Sequence, residues 1–178
     1  LITRDIDLLQ ECAAVADVGT NFSVGCVDED YWRSNEPGTP SPQRRLDAVR
    51  RLNEAGIPCG VLMAPIVPFI SDTDEMMEST VRAIAEAGAT HIAPIVLHLR
   101  SGAREWWMAW LERHRRDLVP RYRELYGQKA YAPKDFQKEV AEKVYALARR
   151  YGIGRRTSSS NARRISEPPP GPEQLQLA

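Results

Sequence analysis

The amino-acid sequence predicts an α/β protein that forms a partial (β/α) barrel of about three parallel strands with flanking helices. Two observations support this fold class. Residues 54–57 and 86–89 both contain Glu-Ala-Gly followed by an apolar residue, so each ends a helix and begins a strand. The apolar runs at 57–64 and 90–99 are short, as in strands buried in a parallel sheet. Three strands are too few for a closed eight-stranded barrel, so the sheet is expected to be open or incomplete.

The first helix and the first strand are predicted near residues 4–16 and 20–25. Apolar residues recur at helical spacing in the helix, and we expect them to form its buried face. They are Ile6, Leu9, Cys12, Ala13 and Ala16. In the strand, Phe22 and Val24 alternate with Asn21, Ser23 and Gly25, so the polar residues would face a site or a partner strand.

The segment at 27–42 contains three prolines and is too Pro-rich to be helical throughout. Connections of this length are usually functional or disordered. Ser41 and Pro42 then provide an N-cap and a first-turn proline for a helix near 42–55, which Gly56 ends.

The strand near 57–64 is predicted to end at about Ala64, because Pro65 and Pro68 cannot donate hydrogen bonds to a neighbouring strand. In parallel α/β folds, ligands bind where strands end, so the loop at 65–72 is predicted to form one wall of a site. Residues 71–75 cap a helix near 73–87, and a third strand follows at 90–99.

The C-terminal part changes to aromatic and basic helices near 103–117 and 134–151. Trp106, Trp107 and Trp110 at helical spacing are expected to form a packing face, with base stacking as the less favoured alternative. We therefore divide the chain into a partial barrel at 1–102, a helical extension at 103–152 and a disordered basic, Pro-rich tail at 153–178.

Composition places the chain among cytoplasmic globular proteins. It has no apolar run long enough to span a membrane, and its three cysteines are odd in number and far apart, which favours reduced thiols. The net charge of zero conceals an asymmetry: residues 1–99 carry 7 Lys or Arg against 15 Asp or Glu, whereas residues 100–164 carry 17 against 7. A basic region of this kind can attract phosphates, although it is more often a solvated surface.

Several unusual residues recur in a fixed order along the chain. They are Arg4-Asp5-x-Asp7-Leu8-Leu9, Phe22-Ser23-Val24-Gly25, Glu36-Pro37-x-x-Pro40-x-Pro42-x-x-Arg45-Leu46, Ala55-Gly56-Ile57, and Ala64-Pro65-Ile66-Val67-Pro68 followed by Asp72. This series resembles radical S-adenosylmethionine (radical SAM) proteins, especially the branch related to spore photoproduct lyase. The resemblance extends to Leu125-Tyr126-Gly127 and covers most of the chain up to about Gly152.

The family signature is absent from the sequence. It is a Cys-x-x-x-Cys-x-x-Cys loop whose thiolates bind a [4Fe–4S] cluster while S-adenosylmethionine chelates the remaining iron. We therefore expect the chain to be the C-terminal part of such a protein, truncated in the gene or only in the record, and inactive by itself. For the full-length protein, the resemblance implies reductive cleavage of S-adenosylmethionine and hydrogen abstraction from an unknown substrate, with lyase-type repair of DNA lesions as one analogy.

The resemblance also implies cofactor-binding residues. Ser23 would contact the ribose or the methionyl group, with a locally bonded strand residue as the alternative. Glu36 and Arg45 match the family pattern, and a structural ion pair that fixes the long loop is the slightly favoured alternative. The adenine side would be lined by Ala64, Pro65, Ile66 and Val67.

On the substrate side, the resemblance points to His98 and Arg100 at the end of the last strand. His91 is expected to lie on the opposite strand face and to be structural. No catalytic residue and no metal ligand are assigned within this chain.

Two other function classes remain open. One is a non-catalytic module that binds nucleic acid or protein through the basic region at 100–164. The other is a barrel enzyme without a cluster, such as an aldolase, which would need a lysine nucleophile or metal ligands at strand ends. No lysine precedes Lys129, so this last alternative is disfavoured.

Overall fold

A computed structural model describes residues 2–155 of the chain. The described residues form an α/β fold around a parallel sheet that is not closed, as the sequence predicts. The sheet order is β1-β2-β3-β4, and its strands are Thr20–Ser23 (β1), Cys59–Ile66 (β2), His91–Val96 (β3) and Gly154–Arg155 (β4).

The predicted helices at 42–55, 73–87 and 134–151 are confirmed. The structure contains α1 (Ile6–Ala13), α2 (Glu29–Asn35), α3 (Pro42–Glu54), α4 (Asp74–Glu86), α5 (Ala103–His114), α6 (Val119–Tyr126) and α7 (Lys134–Arg150), with 3₁₀ turns at Ile2–Arg4 and Arg116–Leu118. Ser41 caps α3 as predicted, because its side-chain oxygen accepts the backbone N–H of Arg44.

One face of the sheet is covered by helices and forms the core. Phe22, Val61 and Ile92 are neighbours in the strand register, and Val61 and Ile92 are fully buried there. Helices α3 and α7 pack on this part of the sheet, and α7 also packs on α4. The side chains of the next residues along these strands, Ser23, Leu62 and Ala93, point to the other face of the sheet, because successive side chains of a strand alternate between faces.

Strand β2 continues through Pro65 to Ile66, so the predicted end near Ala64 is wrong. The pairing with β3 shifts between Met63 and Ile66, which places an extra residue in β2 at the proline. Such an irregularity lets a residue without an N–H remain in the strand. Strand β3 is shorter than predicted and ends at Val96.

The N-terminal region differs from the prediction in two ways. Helix α1 is shorter than expected, and none of its residues is buried; Leu8 and Cys12, for example, are exposed. The long segment at 27–42 contains the helix α2, whose N-cap Asp28 accepts the backbone N–H of Tyr31. The sequence signal for α2 was hidden because prolines follow it closely.

The predicted tail begins too early. Ile153 is buried, its N–H donates to the carbonyl oxygen of Ala148, and Gly154–Arg155 pair in parallel with β3. These three residues therefore belong to the fold. The rest of the predicted tail, at 156–178, lies outside the described residues. Within the described part, no helix has both the length and the apolar character needed to cross a membrane.

Candidate functional site

The carboxyl ends of β1, β2 and β3 meet at one edge of the sheet, because the three strands are parallel neighbours. The chain segments at the carboxyl ends of β1 and β2 are in close contact. A Cβ atom added at Gly25 would lie 2.4 Å from the carbonyl oxygen of Pro65, so only glycine allows this approach. The structure therefore brings the predicted site residues near Ser23 and near Pro65 to the same edge.

The second face of the sheet, which we call the open face, carries Asn21, Ser23, Leu62, Ala64, His91 and Ala93. Their side chains alternate along the strands with those that face the core. Asn21 and Ser23 are exposed, and the other four residues are half-buried. The Ser23 hydroxyl makes no hydrogen bond to another described residue. The open face thus combines one available hydroxyl with small apolar side chains.

Arg45 connects the carboxyl end of β1 to the long segment at 27–42 through hydrogen bonds. Its Nη2 donates to the Glu36 carboxylate at 2.5 Å and to the Thr39 hydroxyl at 3.0 Å. Its Nη1 and Nε donate to the backbone carbonyl oxygens of Ser23 and Pro40, at 2.9 and 2.8 Å. The Arg45 and Glu36 side chains are only 13% and 19% exposed. The predicted structural ion pair is therefore confirmed, while a cofactor role for these two residues stays a prediction.

The loop after β2 has hydrogen bonds within its own backbone and to Ser71. The buried N–H of Val67 donates to the Ser71 hydroxyl at 2.8 Å, and the N–H groups of Ile70 and Ser71 donate to the Val67 carbonyl oxygen. Ala64 and Pro65 are half-exposed, whereas the side chains of Ile66 and Val67 are buried. Contact of Ile66 or Val67 with a ligand would thus involve backbone atoms in this chain.

Asp72 closes this loop in a half-buried position. Burial raises the pKa of its carboxyl group, although backbone N–H groups of Phe69 and Asp72 and the cations Lys143 and Arg121 oppose the shift. Phe69 itself adopts the left-handed conformation, with φ of 64°, and the Arg121 guanidinium lies 3.7 Å from its ring centroid. The loop thus holds an uncommon backbone conformation against α6.

On the substrate side, His98 and Arg100 lie beyond the end of β3 and are exposed. Both contact Tyr131, which sequence reasoning missed: the rings of His98 and Tyr131 are 4.4 Å apart, and Arg100 Nη2 donates to the Tyr131 hydroxyl at 2.9 Å. The N–H of Leu99 donates to the carbonyl oxygen of Ala130 and holds the two segments together.

Two further residues at this edge were missed, Tyr122 and Tyr126 on α6. Both are buried, and their rings stack at 5.7 Å with an interplanar angle of 8°. The Tyr122 hydroxyl donates to the carbonyl oxygen of Pro68 at 2.8 Å, and the Tyr126 hydroxyl to that of Leu97 at 2.7 Å. Their i, i+4 spacing was the available signal, but it does not reveal the acceptors.

The described residues do not fit an iron–sulfur cluster. They contain no group of three or more His, Cys, Asp or Glu side chains that could hold a metal. Cys12 is exposed on α1, while burial raises the pKa of the thiols of Cys26 and Cys59, which favours the protonated form over the thiolate that binds iron. The described residues therefore do not supply the three thiolates that such a cluster needs.

A cavity of about 390 Å³ lies on the helix-covered side of β1, between the N-terminal 3₁₀ turn and α3. Phe22, Arg44 and Arg51 are among its lining residues. Phe22 and Ser23 point to opposite faces, so this cavity is separate from the open face. Of the predicted cofactor-binding residues, Arg45 lines the cavity, whereas Ser23 and residues 64–67 do not.

The chain is homologous to longer proteins of unknown function. It is 38% identical over 153 residues to the uncharacterized protein Rv2578c of Mycobacterium tuberculosis, in a match that covers 86% of this chain and 45% of that protein. It is also 31% identical over 109 residues to the uncharacterized protein ORF301 of Acidianus two-tailed virus, covering 60% of this chain and 36% of that protein. A third relative, the uncharacterized protein MJ0683 of Methanocaldococcus jannaschii, is 29% identical over 80 residues, covering 45% of this chain and 30% of that protein.

The chain thus spans less than half the length of these curated relatives. No family model matches the sequence, and no solved structure matches it.

Proposed function

We propose that this chain forms the S-adenosylmethionine-facing part of a radical SAM enzyme, whose cluster ligands are supplied by residues outside this chain. The observation that supports this proposal is the open face. There the Ser23 hydroxyl, which has no hydrogen-bond partner among residues 2–155, lies beside the carboxyl ends of β1 and β2, which are in close contact. Ligands of open parallel sheets bind at such strand ends.

In this proposal the residues of the chain bind and orient the cofactor. The Ser23 hydroxyl would hydrogen-bond the ribose or the methionyl group. Ala64 and Pro65 would contact the adenine with their half-exposed surfaces. Arg45 supports the site from behind, since it holds the Ser23 carbonyl oxygen. By itself, the chain is expected not to cleave S-adenosylmethionine.

Binding of S-adenosylhomocysteine, a stable analogue of the cofactor, tests this proposal. We expect NMR shift changes confined to the amides of 21–25 and 62–68, with adenosine binding more weakly at the same place. Ser23→Ala should weaken binding, whereas Ser79→Ala, on the helix α4, should not. The absence of binding, or binding at the cavity beside α3, would contradict the proposal.

Two further readouts concern the cluster. Anaerobic reconstitution of the chain with iron and sulfide should give no stoichiometric, oxygen-sensitive cluster, and finding one would show that the ligand assignment is wrong. In the gene, a Cys-x-x-x-Cys-x-x-Cys motif encoded upstream of residue 1 would support the proposal. An in-frame start without that motif would contradict it.

A second candidate function is binding of nucleic acid by the basic C-terminal region. It is favoured by the exposed aromatic side chains of Trp106 and Tyr131, which are 60% and 44% exposed, and by the adjacent Arg100. Exposed aromatic rings beside cations are typical of single-strand binding surfaces. If this surface binds phosphates, affinity for an oligonucleotide should fall steeply with salt, and Arg100→Ala should reduce the salt dependence.

A further inference from the structure

Helix α6 connects the two sides of the candidate site through Tyr122 and Tyr126. The Tyr122 hydroxyl bonds the loop after β2, and the Tyr126 hydroxyl bonds the segment after β3. Because the two rings are stacked at 5.7 Å, a displacement of one tyrosine is resisted by the other. The pair therefore fixes the distance between two chain segments that are separate in sequence.

The loop after β2 depends on Tyr122 for more than one contact. Besides the hydrogen bond to the Pro68 carbonyl oxygen, the Tyr122 ring packs edge-on against Phe69, with centroids 5.8 Å apart. Phe69 holds a positive φ, which non-glycine residues adopt at a cost. The contacts from α6 thus stabilise a loop conformation that the loop residues do not favour by themselves.

The segment after β3 depends on Tyr126 in a similar way. The Leu97 carbonyl oxygen accepts the Tyr126 hydroxyl, while the Leu97 N–H donates to the carbonyl oxygen of Ile66. These bonds set the position from which His98 and Arg100 leave the sheet. Tyr131, which contacts both of those side chains, then lies a short distance further along the chain from α6.

We propose that Tyr122 and Tyr126 are positioning residues with separate tasks. Tyr122 fixes the cofactor-side loop at 65–72, and Tyr126 fixes the substrate-side segment at 97–100. The identity of the two ligands rests on the proposed function, whereas the fixing of the two segments does not. The helical extension therefore contributes to the site through α6. The stacking of the two rings sets the relative positions of cofactor and substrate.

Amide hydrogen exchange on Tyr122→Phe and Tyr126→Phe variants tests the separation of tasks. Each substitution removes one hydroxyl and keeps the packed ring. Tyr122→Phe should accelerate exchange of the Val67, Ile70 and Ser71 amides by about five-fold, the effect of one lost hydrogen bond, and leave 97–100 unchanged. Tyr126→Phe should accelerate 97–100 and leave the loop after β2 unchanged.

Tyr151→Phe is the matched control, because the Tyr151 hydroxyl bonds Glu78 away from this edge. It should change neither segment. Equal acceleration of both segments by each site variant would indicate general destabilisation and overturn the proposal. No acceleration in either variant would overturn it as well.

Affinity for S-adenosylhomocysteine provides the readout that a purely structural role would not change. Tyr122→Phe should weaken binding about five-fold or more, while Tyr126→Phe and Tyr151→Phe should not change it. Segment-specific exchange with unaltered affinity in all variants would overturn the cofactor-positioning role of Tyr122. If the wild-type chain does not bind the ligand, the proposed function fails, and the exchange pattern alone decides whether the two tyrosines fix their segments.

Discussion

The imidazole ring of His91 lies directly over the backbone of Gly60, on the neighbouring strand. A Cβ atom added at Gly60 would be 2.2 Å from the ring. This position lets His91 Nε2 reach Asn21 Oδ1, two strands away, at 2.8 Å. The missing side chain of Gly60 therefore allows a hydrogen bond that connects β1 to β3 across β2, on the open face.

Gly60→Ala should destabilise the protein by about 1 kcal/mol, because the new methyl group displaces the half-buried His91 ring and breaks its hydrogen bond to Asn21. Urea unfolding measures the loss. Gly19→Ala is the control, since its nearest atom would be 3.9 Å away, at ordinary contact distance. His91→Ala in the Gly60→Ala background should remove the clash and cost less than the two single changes combined. If Gly60→Ala and Gly19→Ala unfold at the same urea concentration, this account is contradicted.

Replacing Arg45 by lysine should cost about 2–3 kcal/mol of unfolding free energy. Lysine keeps the charge but cannot donate to Glu36, Thr39, Pro40 and Ser23 at once, and the pair with Glu36 is largely buried. Thermal and urea unfolding should agree on the loss.

Arg33→Lys is the matched control for Arg45→Lys. The Arg33–Glu29 pair is 62% and 67% exposed, and exposed pairs contribute less than about 1 kcal/mol. If both lysine variants lose the same small amount of unfolding free energy, the hydrogen bonds of Arg45 stabilise the fold no more than an exposed ion pair does.

Titration of the Asp72 carboxyl group should make the free energy of unfolding fall as the pH rises. Burial raises the pKa of its carboxyl group in the folded state, so the folded protein binds the proton more tightly than the unfolded chain. The stabilising contribution is complete below the ordinary aspartate pKa and is lost as the pH passes the raised value. Asp72→Asn should therefore gain stability relative to wild type as the pH rises above the ordinary aspartate pKa, measured by urea unfolding. A difference that does not change with pH would rule out a raised pKa.

Native thiol labelling should distinguish the three cysteines. Cys12 is exposed, whereas Cys26 and Cys59 are buried with raised pKa values, which lowers their thiolate fraction. Iodoacetamide at pH 8 should modify one thiol per native chain, with the others at least about ten-fold slower, and all three in urea. Cys12→Ser should abolish the fast phase. Fast native labelling of Cys26 or Cys59 would show that the core around them is open.

Local patterns were enough to predict most of the secondary structure. The N-caps of α3 and α4, Ser41 and Thr73, each accept a backbone N–H three residues further along the chain, so they depend only on neighbouring residues. The prediction failed where a longer-range contact decided: β2 passes Pro65 because its pairing with β3 shifts, and Ile153 joins the core because the helix α7 returns it to the sheet.

The candidate site was predicted only in part. The family resemblance implied that Ser23, Glu36 and Arg45 act at one site, and the structure joins the three residues through the hydrogen bonds of Arg45. Patterns could not show that Arg45 bonds the carbonyl oxygen of Ser23 and leaves its hydroxyl available, because backbone acceptors have no signature in a sequence. Tyr131 was missed for a related reason, as it reaches Arg100 from 31 residues away.

The sequence by itself determined the α/β class, the parallel strands and the helices that flank them, since hydrophobic periodicity and caps act over one or two turns. The tertiary structure alone decided which sheet face stays open and which residues hold the strand exits. His91 meets Asn21 over 70 residues, and Tyr122 meets Pro68 over 54. Such contacts form only when the packed strands and helices bring distant residues within hydrogen-bond distance, so no local pattern specifies them.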